Sequence, residues 1–119
     1  MSHSPQDLHK KLLGRKGERL VAAFIKKQKM KLLKTNYRTP FGEADLIALD
    51  GDEVVFIEVK TRSGKSFGLA KEAVDENKQA RYQKIARYFW AQTGEEPNAR
   101  FDVAEVAEDG TINYIRNAF

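Results

Sequence analysis

Asp45, Glu58 and Lys60 are the residues of this sequence best placed for chemistry. Asp45 lies in the run Gly42-Glu43-Ala44-Asp45-Leu46-Ile47-Ala48-Leu49, and Glu58 and Lys60 end the run Val54-Val55-Phe56-Ile57-Glu58-Val59-Lys60. Both runs read as β-strands, and Asp50-Gly51 between them marks a hairpin turn. Side chains alternate along a strand. Val54, Phe56, Glu58 and Lys60 therefore share one face of the second strand, and Val55, Ile57 and Val59 form a core face. Glu43 and Asp45 share a face with Ile47 and Leu49. The turn decides how the acids meet. A two-residue loop at Asp50-Gly51 pairs Asp45 with Phe56 and leaves Asp45 diagonal to Glu58. A four-residue loop from Asp50 to Glu53 sets them directly opposite. A three-residue loop sends them to opposite faces. The expectation is a shared face. Two carboxylates that close repel each other, and a divalent cation makes such a pair favourable. Hard oxygen ligands suit Mg²⁺ or Mn²⁺.

The same three residues on an ordinary exposed strand would form a solvated face, with Lys60 as a salt-bridge partner. The sequence carries its own comparison in Glu76-Asn77-Lys78, which repeats the Glu-x-Lys spacing without an apolar strand before it. Only Glu58-Val59-Lys60 closes a strand opposite another acid-bearing strand. Other chemistries are poorly supplied. The two histidines, His3 and His9, both lie near the N-terminus, and there is no cysteine. Histidine acid–base catalysis, a Ser-His-Asp triad and a histidine zinc site are therefore poorly supported, and cysteine-ligated metal is excluded. No nucleophile elbow or dinucleotide fingerprint is present. Acid and lysine chemistry on an anionic substrate remains.

The elements that must position these residues follow from periodicity and punctuation. The 119 residues suit one domain. No run is apolar enough for a transmembrane helix and none reads as a signal peptide, which fits a cytoplasmic location and no membrane partner. A first helix is expected from Pro5 or Asp7 to Lys29, with an apolar stripe of Leu13, Leu20, Val21 and Phe24. Gly14 and Gly17 weaken that helix but allow close approach of another backbone or a ligand. Glu18 flanks the stripe. It is either a surface acid paired with a nearby base or a third acid aimed at the hairpin. A strand from Lys31 to Arg38 follows, and Thr39-Pro40-Phe41-Gly42 turns into the acid hairpin. The loop Thr61 to Gly68 leaves Arg62 and Lys65 free to meet phosphates. A second helix starts at the N-cap Asp75 and stops before Gly94, with Tyr82, Ile85, Ala86, Phe89 and Trp90 as its apolar stripe. Lys78 and Gln79 in its first turn lie where phosphate binding is physically favourable. Two strands, Arg100 to Ala107 and Thr111 to Ile115, complete the chain. An Arg100–Asp102 pair there reads as structural.

Charge is unevenly spread. The net +4 divides into +9 over residues 1–38 and −5 over the rest. A basic segment beside an acidic one suggests a polyanion-binding surface next to a cation site, although lysines also simply solubilise a helix.

Gly42-Glu43-Ala44-Asp45-Leu46-Ile47 followed by Phe56-Ile57-Glu58-Val59-Lys60-Thr61-Arg62 resembles the PD-(D/E)xK nuclease superfamily. Gly14-Arg15-Lys16-Gly17-Glu18, Asn36-Tyr37-Arg38, Phe67-Gly68, Ala73-Val74, Lys78 and Arg100-Phe101-Asp102-Val103 narrow the resemblance to the YraN-like family, related to archaeal Holliday junction resolvases. It departs from the pattern at Ala44, where a larger β-branched residue is expected, and in lacking a literal Pro-Asp. The resemblance implies an α/β restriction-endonuclease-like core, a central mixed sheet flanked by helices in the order αβββαβ(β). It implies Asp45, Glu58 and the Val59 carbonyl as ligands of Mg²⁺ or Mn²⁺, Lys60 as the catalytic lysine and Glu18 as an accessory acid. The implied activity is phosphodiester hydrolysis of DNA, with branched or junction DNA among the substrates the resemblance suggests; a module that keeps the nuclease fold and only binds nucleic acid is the alternative. Arg15, Lys16, Arg62, Lys65, Lys78 and Gln79 would hold the nucleic acid. Cutting a symmetric junction would need two active sites, as in a homodimer.

Overall fold

The computed structural model describes the backbone of residues 5–62, 74–94 and 98–119, and their side chains from residue 12 onward. Helix α1 (Pro5–Lys27) leads into strands β1 (Lys31–Thr39), β2 (Gly42–Asp50) and β3 (Glu53–Thr61), then helix α2 (Glu76–Thr93) and strands β4 (Asn98–Val106) and β5 (Ile112–Ile115). The strands form one sheet in the order β1-β2-β3-β4-β5. The β3–β4 pair is parallel and the other three are antiparallel. The parallel pair needs a crossover, and α2 lies within it. This is a mixed α/β sheet consistent with the restriction-endonuclease-like core. Lys65 and most of its loop lie outside the described residues.

Both faces of the sheet are covered. On one face, Val21 and Ile25 of α1 pack on Leu46, Ala48, Val55, Ile57, Ala104 and Val106. On the other, Tyr82, Ile85, Ala86 and Phe89 of α2 pack on Ala44, Ile47, Val54 and Phe56. The acid-bearing face of β3 is therefore not solvated along its length; Val54 and Phe56 are as much core as Val55 and Ile57. A strand covered by helices on both sides reads as a continuous apolar run, and Val54 to Ile57 is one.

Local signals set the ends of α2. Asp75 accepts from the Lys78 N–H at 2.8 Å, and Gly94 takes the left-handed conformation, φ 78°, while its N–H reaches the Trp90 carbonyl. At the hairpin, Asp50 pairs with Glu53, so the loop is Gly51-Asp52 and not Asp50-Gly51. Only Gly51 of these two has positive φ, the pattern of a type II′ turn with glycine first. This loop continues the β2–β3 register to the arrangement expected of the longer loop, with Asp45 opposite Glu58.

At the turn end of the hairpin, Arg100 of β4 holds the register. Its guanidinium reaches Asp50 at 2.8 Å, Glu53 at 3.1 Å and Asp102 at 3.1 Å. Asp102 is fully buried and also accepts from the Tyr114 hydroxyl and the Asn117 N–H. Fully partnered buried charges of this kind tie elements together. The Arg100–Asp102 pair is structural, as its sequence context suggests.

Candidate active site

The β2–β3 ladder ends at Leu46 and Ile57, one residue before the acids. Beyond it, the Asp45 carboxylate takes the place of a main-chain acceptor: the Val59 N–H donates to Asp45 Oδ2 at 2.8 Å. The alternation of β2 slips at the same point. Leu46 and Ala48 face α1, while Ala44, Ile47 and Leu49 face α2. A phase slip of this sort opens a sheet and redirects one side chain. Here the redirected side chain is Asp45.

Asp45 and Glu58 meet closely enough to share a hydrogen bond, and the Asp45 carboxyl is pushed up to about 8. Burial is the first cause, the Glu58 charge the second; Glu18 adds to both, and the Val59 N–H opposes them. At neutral pH the pair therefore holds a proton that a cation would displace.

Glu58 is 7 % exposed and has two further partners, both from α2. Lys78 Nζ contacts Oε1 at 2.5 Å, and the Tyr82 hydroxyl donates to Oε2 at 2.6 Å. The cap at Asp75 starts α2 so that Lys78 and Tyr82, four residues apart, fall on one side of the helix. Lys78, expected at a phosphate, is thus the ion-pair partner of Glu58. The Tyr82 phenol is held well above its usual range by burial and by the Glu58 and Asp45 charges. Tyr82 was legible as core. Its second role was signalled only by a tyrosine on the core stripe of a helix facing an acid-bearing strand.

Lys60 is exposed. Val59 and Thr61 face α1, where both lie against Gly17. Alternation puts Lys60 on the opposite, Glu58 face. Its register partner on β4 is Glu105, which is fully buried. Glu105 accepts from Arg62 Nε at 3.1 Å and from the Asn113 amide at 3.2 Å. Arg62, expected to be free for phosphate, is anchored there.

Glu18 reaches the site from α1. A β-carbon on Gly17 would stand 2.6 Å from the Thr61 methyl, so only glycine lets α1 lie this close to β3. Glu18 is half-buried, and its carboxyl is raised by burial, with the Asn36 side-chain hydrogen bond opposing. The neighbouring Glu43 and Glu58 charges raise it further. Asn36 is a β1 residue with φ 50°, a left-handed conformation that asparagine tolerates better than most residues. Its register position faces Asp45. Arg15 and Lys16 are exposed on α1, and Gln79 is half-buried with its side chain on the Val74 carbonyl.

Among the described residues, no three His, Cys, Asp or Glu side chains converge to hold a metal ion. The two carboxylates that do meet are Asp45 and Glu58, and with the Val59 carbonyl they are the donors that a divalent cation could take here. Mg²⁺ commonly takes one or two carboxylates and fills its remaining positions with water and substrate phosphate. Burial raises the Asp45 carboxyl first and the Glu58 charge second, and a cation between them would offset the second.

The model of the family described as "Uncharacterised protein family UPF0102" matches residues 17–106. A UPF0102 protein of Alkaliphilus metalliredigens is 44% identical over 112 residues, covering 92% of this chain and 98% of the relative. The UPF0102 protein TTE1452 of Caldanaerobacter subterraneus is 41% identical over 119 residues, covering 94% and 98%. A UPF0102 protein of Syntrophus aciditrophicus is 43% identical over 111 residues, covering 89% and 87%.

Proposed function

We propose that this chain, which belongs to the uncharacterised protein family UPF0102 of the PD-(D/E)xK nuclease-like superfamily, hydrolyses phosphodiester bonds of DNA with the help of Mg²⁺ or Mn²⁺. The observation that carries this reading is the junction of Asp45 and Glu58 where the β2–β3 ladder stops, with Lys60 next on the Glu58 face. Bound there, the cation would neutralise phosphate charge and acidify an attacking water. Asp45 and Glu58 would hold the cation. Lys60 orients the water or stabilises charge gathering on the phosphoryl oxygens. Glu18, held by Asn36, is a further acid at the site's α1 side. The exposed bases Arg15 and Lys16 supply backbone contacts that position DNA without reading its sequence.

A second reading, a binding module that does not turn over, has one observation in its favour. Lys78 and Tyr82 occupy both oxygens of Glu58, and an ammonium can replace a cation in neutralising an acid. The two readings separate in one assay. Labelled single-stranded, linear duplex, flapped and four-way-junction DNA is incubated with Mg²⁺, Mn²⁺ or EDTA, using Lys60→Ala as control. Metal-dependent cutting that disappears in Lys60→Ala supports the nuclease. Tight binding without cutting supports the module.

A further inference from the structure

Between α1 and β1 lies an open cavity of about 500 Å³ that shares Glu18 with the acid site. Ala22 and Leu46 form its apolar floor, Arg15 and Arg19 stand along its α1 side, and Asn36 borders it on β1. Its outer lip is Leu12, a large apolar side chain left 55% exposed. Asn36 adds a second observation. Its φ of 50° places a left-handed residue within β1 opposite Asp45, where the facing of β2 side chains also changes. A non-glycine residue kept in this conformation stores strain that a regular strand would avoid. The irregularity lies where the cavity meets the acids and sets the Asn36 amide against Glu18.

The volume falls in the range of small-ligand pockets. The lining is complementary to one nucleotide: an apolar floor for a base, guanidinium groups that stack on bases and grip phosphate, and amide and hydroxyl groups at the rim. A base stacked within a duplex cannot enter such a recess; only an unpaired or extruded one can. We infer that this cavity receives a single unpaired nucleotide of the DNA, next to the phosphate that a cation on Asp45 and Glu58 would bind. That adjacency rests on the hydrolytic reading above; the pocket itself does not. The site would thereby favour DNA with an unpaired residue beside the bond, at a fork, flap or branch.

The test is binding in EDTA at low salt, where no cutting occurs. The probes are duplex oligonucleotides with 2-aminopurine at one unpaired position or at the same position fully paired. The wild-type protein should bind the unpaired probe on the order of tenfold more tightly, and 2-aminopurine fluorescence should rise as the base leaves the stack. Ala22→Phe, which fills the floor, should reduce the preference to about twofold or less and suppress the rise. Thr35→Trp blocks the same cavity from β1 and should do likewise, which guards against a folding defect in either variant; circular dichroism and thermal melting check both. Equal binding of the two probes by the wild type, or a preference that survives both filled variants, overturns the inference. Failure to bind either probe overturns it and leaves the nuclease reading to the metal-dependent cleavage assay above. Binding with the fluorescence rise but no cleavage when metal is restored sinks the nuclease and leaves the pocket. Cleavage without any preference for the unpaired probe does the reverse.

Discussion

Replacing Asp45 with asparagine should stabilise the metal-free protein at alkaline pH and flatten its pH dependence. The Asp45 carboxyl is held near 8, against 3.8 for an ordinary aspartate, by burial first and by Glu58 second. A carboxyl raised on folding binds its proton more tightly in the native state. Stability is therefore full below the unfolded value and falls as pH rises through the interval up to about 8. At about 1.4 kcal/mol per pH unit the whole interval sets a ceiling of roughly 6 kcal/mol. Solvent entry at the open end of the β2–β3 ladder reduces this, and about 2–3 kcal/mol is the expected loss between pH 5 and pH 8, a large share of the ~5–15 kcal/mol of a typical domain. Asparagine preserves the geometry. Its carbonyl oxygen still accepts the Val59 N–H, and its NH₂ donates to Glu58 in place of the shared proton. Urea unfolding in EDTA at pH 5, 6, 7 and 8 measures both proteins. The wild type should lose stability with rising pH and regain it on adding Mg²⁺ or Mn²⁺ at pH 8. Asp45→Asn should do neither and should be the more stable of the two at pH 8. A flat wild-type profile, or an asparagine variant that is weaker at pH 8, would refute the picture of two carboxylates confined together.

Four other changes separate chemistry from scaffold. Lys60→Met should abolish cleavage while unfolding free energy stays within about 0.5 kcal/mol of wild type, because the side chain is exposed; a large stability loss would mark Lys60 as structural. Tyr82→Phe removes the donor to Glu58 Oε2 and should cost about 1–3 kcal/mol in chemical denaturation, so an unchanged midpoint would count against that bond. Lys78→Met removes the cation beside Glu58 Oε1 and should tighten Mn²⁺ binding in calorimetry; weaker binding would show that the ammonium supports the cation and does not compete with it. Gly17→Ala sets a β-carbon 2.6 Å from the Thr61 methyl and should lower stability by about 1–3 kcal/mol. Thr61→Ser, which deletes that methyl, should recover most of the loss in the double variant, and no recovery would locate the strain elsewhere.

What the sequence determined by itself was local. Asp75 and Gly94 bound α2 because a cap and a left-handed glycine act on their own turn of helix. The apolar runs of β2 and β3 specified strands, and the succession of helical and strand patterns set the order of elements; the parallel pairing of β3 with β4 around α2 belongs to the assembled sheet. The acids at Asp45 and Glu58 were visible as residues out of place in apolar strands, and so was Lys60. The tertiary structure decided how these residues meet. The turn at Gly51-Asp52 selects the directly opposed arrangement of the acids over the diagonal one, both of which the sequence left open, and the Arg100 grip on Asp50 and Glu53 that accompanies this register joins residues 50 and 47 positions apart. Lys78 and Arg62 look alike in sequence, as bases free for phosphate. Packing against the acid-bearing strands gives one to Glu58 and the other to the buried Glu105. The slip in β2 at Asp45 and the turned backbone of Asn36 leave no trace in hydrophobic periodicity, since each displaces a single residue. They arise where two strands and α1 must share one crowded edge, and only the assembled sheet brings those three together.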